Sequence, residues 1–563
     1  MPGHLVKVLE GKKLLVFEEM LAASGYVDTS IASEIGRGFD LTGPIPSSGG
    51  LFKPVVEPAT MSKECLRAAA PAVRAGILQA TARACTTELA QEVHDLTQDE
   101  VKRGWLAGPI PLESLSETAS LSRRFGVVQS SGGKREVRPI DNLSESFINS
   151  TVSRVESIQP HGLDVVCAAI AYRLRVRERA GKATVPKLKI IDLLKAYKQL
   201  GISSDALQDA FLSVPNPETG WALLLLHWTV FYDDSIAVNE ASSAKHCELV
   251  LGSFWSLLGW SVALDKETEF AYFARALGVK ICFQSERMFV VENTQERKDE
   301  LNETISDMLS AQWVDQHALA SLRARLQFVE GQIHGRRCHK HMRVLSLRAE
   351  FIGGSAVDDD LCDALRFLRD RVVGAPPRVI SARRENTWFL FTDASYEVDA
   401  EHPCGIGAVL VASDGKPIRC FGLEFRSDLL DPIKFSENNS PIYFLEGLAV
   451  IAALDLWCPL LHGSEIVCFV DNEAAKSAFI AAKTPSVQFG ALLEWLACWE
   501  ERHSTFPWFE RVSSAANIAD GPSRDSFDLL KGVQRDDCDL VRSATLVIPC
   551  LCTAVLLVAA EDT

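Results

Sequence analysis

The chain has 563 residues, 47% of them hydrophobic, with a formal net charge of −16. That length predicts two to four domains, and that apolar content excludes wholesale disorder. The negative charge argues against a general nucleic-acid coat protein, although a local basic groove is compatible with it. The fifteen cysteines are scattered, with no CxxC pair and no Cys/His zinc spacing, so reduced thiols in a cytoplasmic or nuclear protein are expected. LVKVLEGKKLLVFEEM mixes charges among its apolar residues and does not read as a secretory signal.

Residues 1–100 read as a partly helical leader, loosely packed over its first 60 positions, where Gly, Pro and Ser are frequent (LTGPIPSSGGLFKP). From Ser62 the apolar spacing turns helical and is broken by GWLAGPIPLE. Arg123 to Asn149 contains two strand-like runs around a Ser/Gly turn, the second of them basic, and a basic hairpin suits phosphate contact. Next, the strand KLKII delivers Asp192, and WTVFYDDSIAV places Asp233 and Asp234 between two β-prone runs, read as a hairpin with two carboxylates at its tip. A lone Asp pair is a common surface turn. Together with a strand-borne Asp192 it is the arrangement a two-metal nucleotidyl transferase requires.

These residues resemble a reverse-transcriptase palm. The resemblance spans residues 101–290 as fingers and palm and makes Asp192, Asp233 and Asp234 the catalytic, metal-binding acids. It places Tyr197 where the sugar 2′-hydroxyl is screened, and it gives Lys134, Arg135, Arg138 and Lys266 to nucleotide binding. One departure stands out. Asp192 and Asp233 lie only 41 positions apart, because PNPETG runs straight into WALLLLHWTVFYDD. The turn and helix that the family places between its acidic motifs have no counterpart here, so an inactive polymerase is one expectation.

Residues 291–386 are helical and become basic, with Arg323, Arg325, Arg336, Arg337, Lys340 and Arg343 in one stretch. That local excess reads as a nucleic-acid-binding surface where the resemblance places a thumb or connection.

Four carboxylates follow. Asp393 ends the apolar strand of WFLFTDAS, Glu446 lies in the buried-helix pattern IYFLEGLAVIAALDLW, Asp471 ends EIVCFVDN, and Asp520 opens the turn of NIADGPSR. Acids crowded together repel unless a cation neutralises them, and oxygen ligands suit Mg²⁺ or Mn²⁺. These motifs, with the GIGAVLV strand, resemble a type 1 RNase H domain of the kind fused to retroelement reverse transcriptases, DIRS-like elements in particular. The resemblance covers residues 387–526 and implies that Asp393, Glu446, Asp471 and Asp520 hold the metal, two ions at each active site. Many such nucleases carry a mobile histidine shortly before the last acid. Here Phe509, Glu510 and Arg511 stand nearby, and the nearest upstream histidine is His503.

The expected fold is therefore multidomain, α+β and α/β: a palm-type reverse-transcriptase region, shortened between its acidic motifs, followed by an RNase H-like α/β domain. The expected partners are an RNA–DNA hybrid, primer–template nucleic acid and dNTPs. Two other readings stay open, a hybrid-specific ribonuclease alone and a catalytically dead nucleic-acid-binding remnant. Residues 527–563 read as a tail ending in the uncharged run Ser543 to Ala560, for which a membrane anchor is the lesser expectation.

Overall fold

The computed structural model describes residues 2–131, 134–157, 162–182, 184–194, 199–227, 235–263, 267–333, 337–383, 386–397, 400–426 and 441–539. The chain is a mixed α/β multidomain protein. It divides into two compact units, Met1–Val166 with Thr184–Gly278 and Cys167–Ala183 with Val279–Thr563.

The first unit carries helices α1 (Lys63–Ala84) and α2 (Ala90–Lys102). Its strands include β1 (Leu121–Ser131), β2 (Lys134–Asn142), β3 (Pro186–Ile191), β4 (Phe211–Asn216), β5 (Trp221–His227) and β6 (Ser235–Glu240). The Ser62 hydroxyl accepts from Cys65 N at 3.2 Å and caps α1, as the sequence reading placed its start. The basic hairpin forms as β1 and β2, with Arg123 opposite Asn142 and Ser131 opposite Lys134. β4 runs parallel to β1, and β5 pairs antiparallel with β4 around the PNPETG turn, where Gly220 adopts φ +71°. Val93 of α2 packs against Val137, Leu212 and Val214 of this sheet. Arg124 crosses the same layer, 2% exposed, donating to Glu100 of α2 at 2.8 Å and to Asp141 of β2 at 2.7 Å.

One feature of this unit differs from the sequence expectation. Leu5, Leu9 and Ile35 are buried with Leu200 and Trp260 packed against them, so the leader belongs to the unit's core. β6, the SIAV strand, pairs with β3, Ser235 opposite Ile191 and Glu240 opposite Pro186. The expected hairpin around the Asp pair involves residues 228–234, which lie outside the described residues. The apolar run WALLLLH, which precedes that hairpin, pairs with β4 and with Leu106–Ala107.

In the second unit, β7 (Val279–Phe283) and β8 (Met288–Asn293) lead into four helices, α3 (Gln295–Ser310), α4 (Gln316–Ile333), α5 (His339–Ala349) and α6 (Asp359–Gly374). Their apolar stripes close on one core that includes Leu301, Ile305, Leu322, Leu326, Leu345 and Leu365. Strand β9 (Arg378–Ser381) returns to β8.

A second sheet follows, built from β10 (Thr387–Tyr396), β11 (Cys404–Ala412) and β12 (Pro417–Phe425). Helix α7 (Ile442–Leu456), β13 (Glu465–Val470), α8 (Glu473–Ala481), α9 (Val487–His503), β14 (Trp508–Arg511) and β15 (Gln534–Arg535) complete the domain. The strand order is β14–β13–β10–β11–β12–β15. β10, β11 and β12 form an antiparallel meander, and β13 and β14 add in parallel on the other side of β10. Helix α7 is apolar all round and buried from Phe444 to Leu454, as such a composition demands. Gly447 lets α9 approach, since a Cβ there would lie 2.6 Å from both Leu492 and Phe489. β15 falls in the stretch read as tail and extends the sheet, and Asp536 accepts from Arg419 at 2.9 Å and from Trp457 Nε1 at 2.8 Å.

The helical bundle and this sheet domain share a charged joint. Arg371 of α6, 6% exposed, donates to Glu330 of α4 at 3.1 Å and to Glu501 of α9 at 2.8 Å, and Arg337 donates to Glu501 at 3.2 Å.

Candidate active site

Three of the four expected acids of the sheet domain come together. Asp393 sits in β10 opposite Gly407 of β11, Asp471 follows the last residue of the neighbouring parallel strand β13, and Glu446 lies in the first turns of α7. Parallel pairing of β10 with β13 places the two aspartates at one end of the sheet, and α7 crosses above them. One carboxylate oxygen from each of Asp393, Glu446 and Asp471 lies within 4.8 Å of the others.

Burial sets the electrostatics. Asp393 is 3% exposed and Glu446 is 4% exposed. Burial, relieved in part by the Ser523 hydroxyl and reinforced by the Asp471 and Asp520 charges, pushes the Asp393 carboxyl up to about 7. Burial, then the charges of Asp471 and Asp393, pushes Glu446 up to about 10. Glu446 Oε2 is enclosed without a hydrogen-bond partner. A buried, orphaned carboxylate oxygen facing two further acids fits a hard divalent cation, which would neutralise the group and fill the missing contact.

Asp520, the fourth expected acid, is exposed and stands outside this trio, with Arg524 Nε 3.5 Å away. Its segment nevertheless builds the site. Asn517 Nδ2 donates to Asp393 Oδ1 at 3.1 Å and to Thr392 O at 2.9 Å, and Ser523 Oγ donates to Asp393 Oδ2 at 2.6 Å. Both Asp393 oxygens are thus held from one loop. That loop lies directly on the sheet because Gly405, Gly407 and Gly422 form a side-chain-free floor. A Cβ at Gly405 or Gly407 would collide with Ser523 backbone, and one at Gly422 with Pro522 O. Asn517, Ser523 and the glycine floor were missed in the sequence. NIADGPSR contains the two polar residues, but nothing local to it shows that it docks on β10.

His503 is remote from the acids. Gly463 N donates to Thr505 Oγ1 at 2.9 Å, which places His503 beside the start of β13, whereas Asp471 follows its end.

In the first unit Asp192 directly follows β3, and its backbone oxygen accepts from Ala263 N at 2.9 Å. Ser235, opposite Ile191, directly follows Asp234 in sequence. Asp233, Asp234, Tyr197 and Lys266 lie outside the described residues, as does the Lys134 side chain. Arg135 is exposed on β2 and makes a two-point ion pair with Glu92 at 2.7 and 2.8 Å, and Arg138 is exposed on the same strand.

Among the basic residues of the bundle, Arg325 donates to Glu300 at 2.8 Å and Arg337 to Glu501 at 3.2 Å. Arg323 is half-buried, Lys340 and Arg343 are exposed on α5, and Arg336 lies outside the described residues.

No family model matches the chain, and no curated protein matches it. Solved structures do. The chain is similar to the foamy viral protease-reverse transcriptase in complex with dsDNA, at 16% identity and TM-score 0.39, covering 76% of this chain and 84% of that one. The same viral protein in complex with an RNA/DNA hybrid matches at 13% identity and TM-score 0.42, covering 91% of this chain and 63% of that one. RNase H1 from the archaeon Halobacterium salinarum matches at 18% identity and TM-score 0.20, covering 25% of this chain and 98% of that one. Among the described residues no helix is long and apolar enough to cross a membrane, and Ser543 to Ala560 lie outside them.

Proposed function

We propose that the C-terminal sheet domain is a divalent-metal-dependent nuclease that hydrolyses the RNA strand of an RNA–DNA hybrid, carried behind a reverse-transcriptase-like region of retroelement origin. The observation that carries this reading is the trio Asp393, Glu446 and Asp471 with its partnerless buried oxygen. Mg²⁺ or Mn²⁺ bound there would act as a Lewis acid toward the scissile phosphate and make a bound water acidic. Asp393, Glu446 and Asp471 would hold it, with Asp520 at the exposed rim. Asn517 and Ser523 fix the direction of Asp393, so its oxygens do not need to reorganise when charge builds on the phosphate. The hybrid would be read by its A-form-like shape and its 2′-hydroxyls rather than by base sequence. Asp192 with Asp233 and Asp234 would form the polymerase site for primer–template and dNTPs. The short spacing between them favours a second reading in which only the nuclease turns over.

The test offers the purified chain four 5′-labelled RNAs of one sequence: single-stranded, paired to RNA, paired to DNA, and paired to DNA with excess chelator. Cleavage restricted to the metal-containing hybrid supports the reading. Equal cleavage of single-stranded RNA, or cleavage that survives the chelator, overturns it.

A further inference from the structure

The main chain of Asp520 stands one hydroxyl away from the acid trio. Ser523 Oγ donates to Asp393 Oδ2 at 2.6 Å and lies 2.9 Å from Asp520 O. Backbone bonds fix the turn around it: Asp520 N donates to Asn517 O at 3.1 Å, Ser523 N to Ala519 O at 3.0 Å, and Arg524 N to Gly521 O at 2.9 Å. Asp520 is therefore anchored beside Asp393, and its charge already acts on that carboxyl. Only its side chain stands apart. There the Arg524 guanidinium sits between two carboxylates, with Nε 3.5 Å from Asp520 Oδ1 and Nη1 donating to Glu397 Oε1 at 2.7 Å. Glu397 directly follows β10, the strand that carries Asp393. Asp520, Arg524 and Glu397 are all exposed, and ion pairs in such a setting are weak enough to exchange with a competing cation.

We propose that Arg524 is a positioning residue of the metal centre: it holds the Asp520 carboxylate away from Asp393, Glu446 and Asp471, and Glu397 tunes that hold by drawing on the same guanidinium. The inference rests on the reading of the trio as a divalent-metal centre. Asp393, Glu446 and Asp471 hold one hard cation. Asp520 reaches a second only by a side-chain rotation that breaks its contact with Arg524, which then keeps Glu397 alone. The strength of the Arg524–Asp520 contact thus sets the affinity for the second ion. Glu397 favours that ion because it offers Arg524 another partner. ADGPSR shows Asp520 and Arg524 one turn apart, but Glu397 lies 127 positions before Arg524 and meets it only when the loop has docked on the sheet.

The test needs no substrate. The full chain, stripped with chelator and kept at low ionic strength, is titrated with Mn²⁺, and the free ion is read by electron paramagnetic resonance. The expected result for the unaltered chain is two classes of site. Arg524→Gln should tighten the weaker class by about two- to fivefold, and Glu397→Gln should loosen it by a similar factor. Added to Arg524→Gln, Glu397→Gln should change nothing further, because Glu397 acts through Arg524. A weaker class that Arg524→Gln leaves unchanged or loosens overturns the inference. So do effects that simply add in the double variant, and so does a single class of site in both the unaltered chain and Arg524→Gln. No Mn²⁺ bound by the unaltered chain would overturn the metal centre itself, and the inference with it.

Discussion

Glu446 is placed where a carboxylate holds its charge only at a cost. Its pKa of about 10 and that of Asp393 near 7 both lie above their unfolded values, so the metal-free native state binds more protons than the unfolded chain between roughly pH 4 and these values. The sign follows: metal-free stability is greatest at low pH and is lost as pH rises through that window. Thermal unfolding in chelator should therefore show a midpoint that falls from pH 5 to pH 9, and saturating Mg²⁺ should remove most of the fall. Glu446→Gln should flatten the metal-free curve, and an unchanged slope in that variant would remove Glu446 from the coupled group. Ser523→Ala tests the hold on Asp393. It should lower hybrid cleavage by about 10- to 100-fold with little change in hybrid affinity, read as kcat against KM. The convergence of Asp393, Glu446 and Asp471 was legible, because each stands at the end of a short apolar run or inside a buried helix, whereas Asp520, expected with them, lies in an exposed turn outside the trio. Asn517 and Ser523 were not legible, because their role exists only once the loop has docked across β10.

At the scale of elements, the loop and the glycine floor act as one piece. Gly407→Ala should push the segment from Asn517 to Ser523 off the sheet, costing about 1–3 kcal/mol by overpacking and lowering cleavage along with the unfolding midpoint. A fully active Gly407→Ala protein would show that the loop need not seat to hold Asp393. The sequence made β10, β11 and α7 readable through their hydrophobic patterns, and the basic hairpin through its Ser/Gly turn. It could not show that SIAV pairs with β3, since β-prone runs carry no record of their partner. Nor could it show that Gln534–Arg535 adds a strand, which depends on Asp536 meeting Arg419 and Trp457.

Across the whole molecule, Arg371 carries the joint between bundle and sheet domain inside the second unit. Arg371→Met would leave Glu330 buried without its partner and should destabilise that unit by about 3–5 kcal/mol, seen as a lower urea midpoint. A midpoint unchanged within error would mean that solvent already screens the joint. The division of the chain after Gly278 was only partly legible. The sequence placed the change at residue 290, where the basic helices begin, whereas β7 and β8 already belong with them.

The nuclease centre is tested in one tube holding the purified chain, Mg²⁺, dNTPs and a labelled RNA–DNA hybrid with a recessed primer, run beside Asp471→Asn. The expected result is RNA cleavage by the unaltered chain and none by Asp471→Asn, whatever happens to the primer. Primer extension in the same tube would add an active polymerase. Absence of cleavage, or cleavage that Asp471→Asn retains, would contradict the assignment of the Asp393, Glu446 and Asp471 cluster as a nuclease centre.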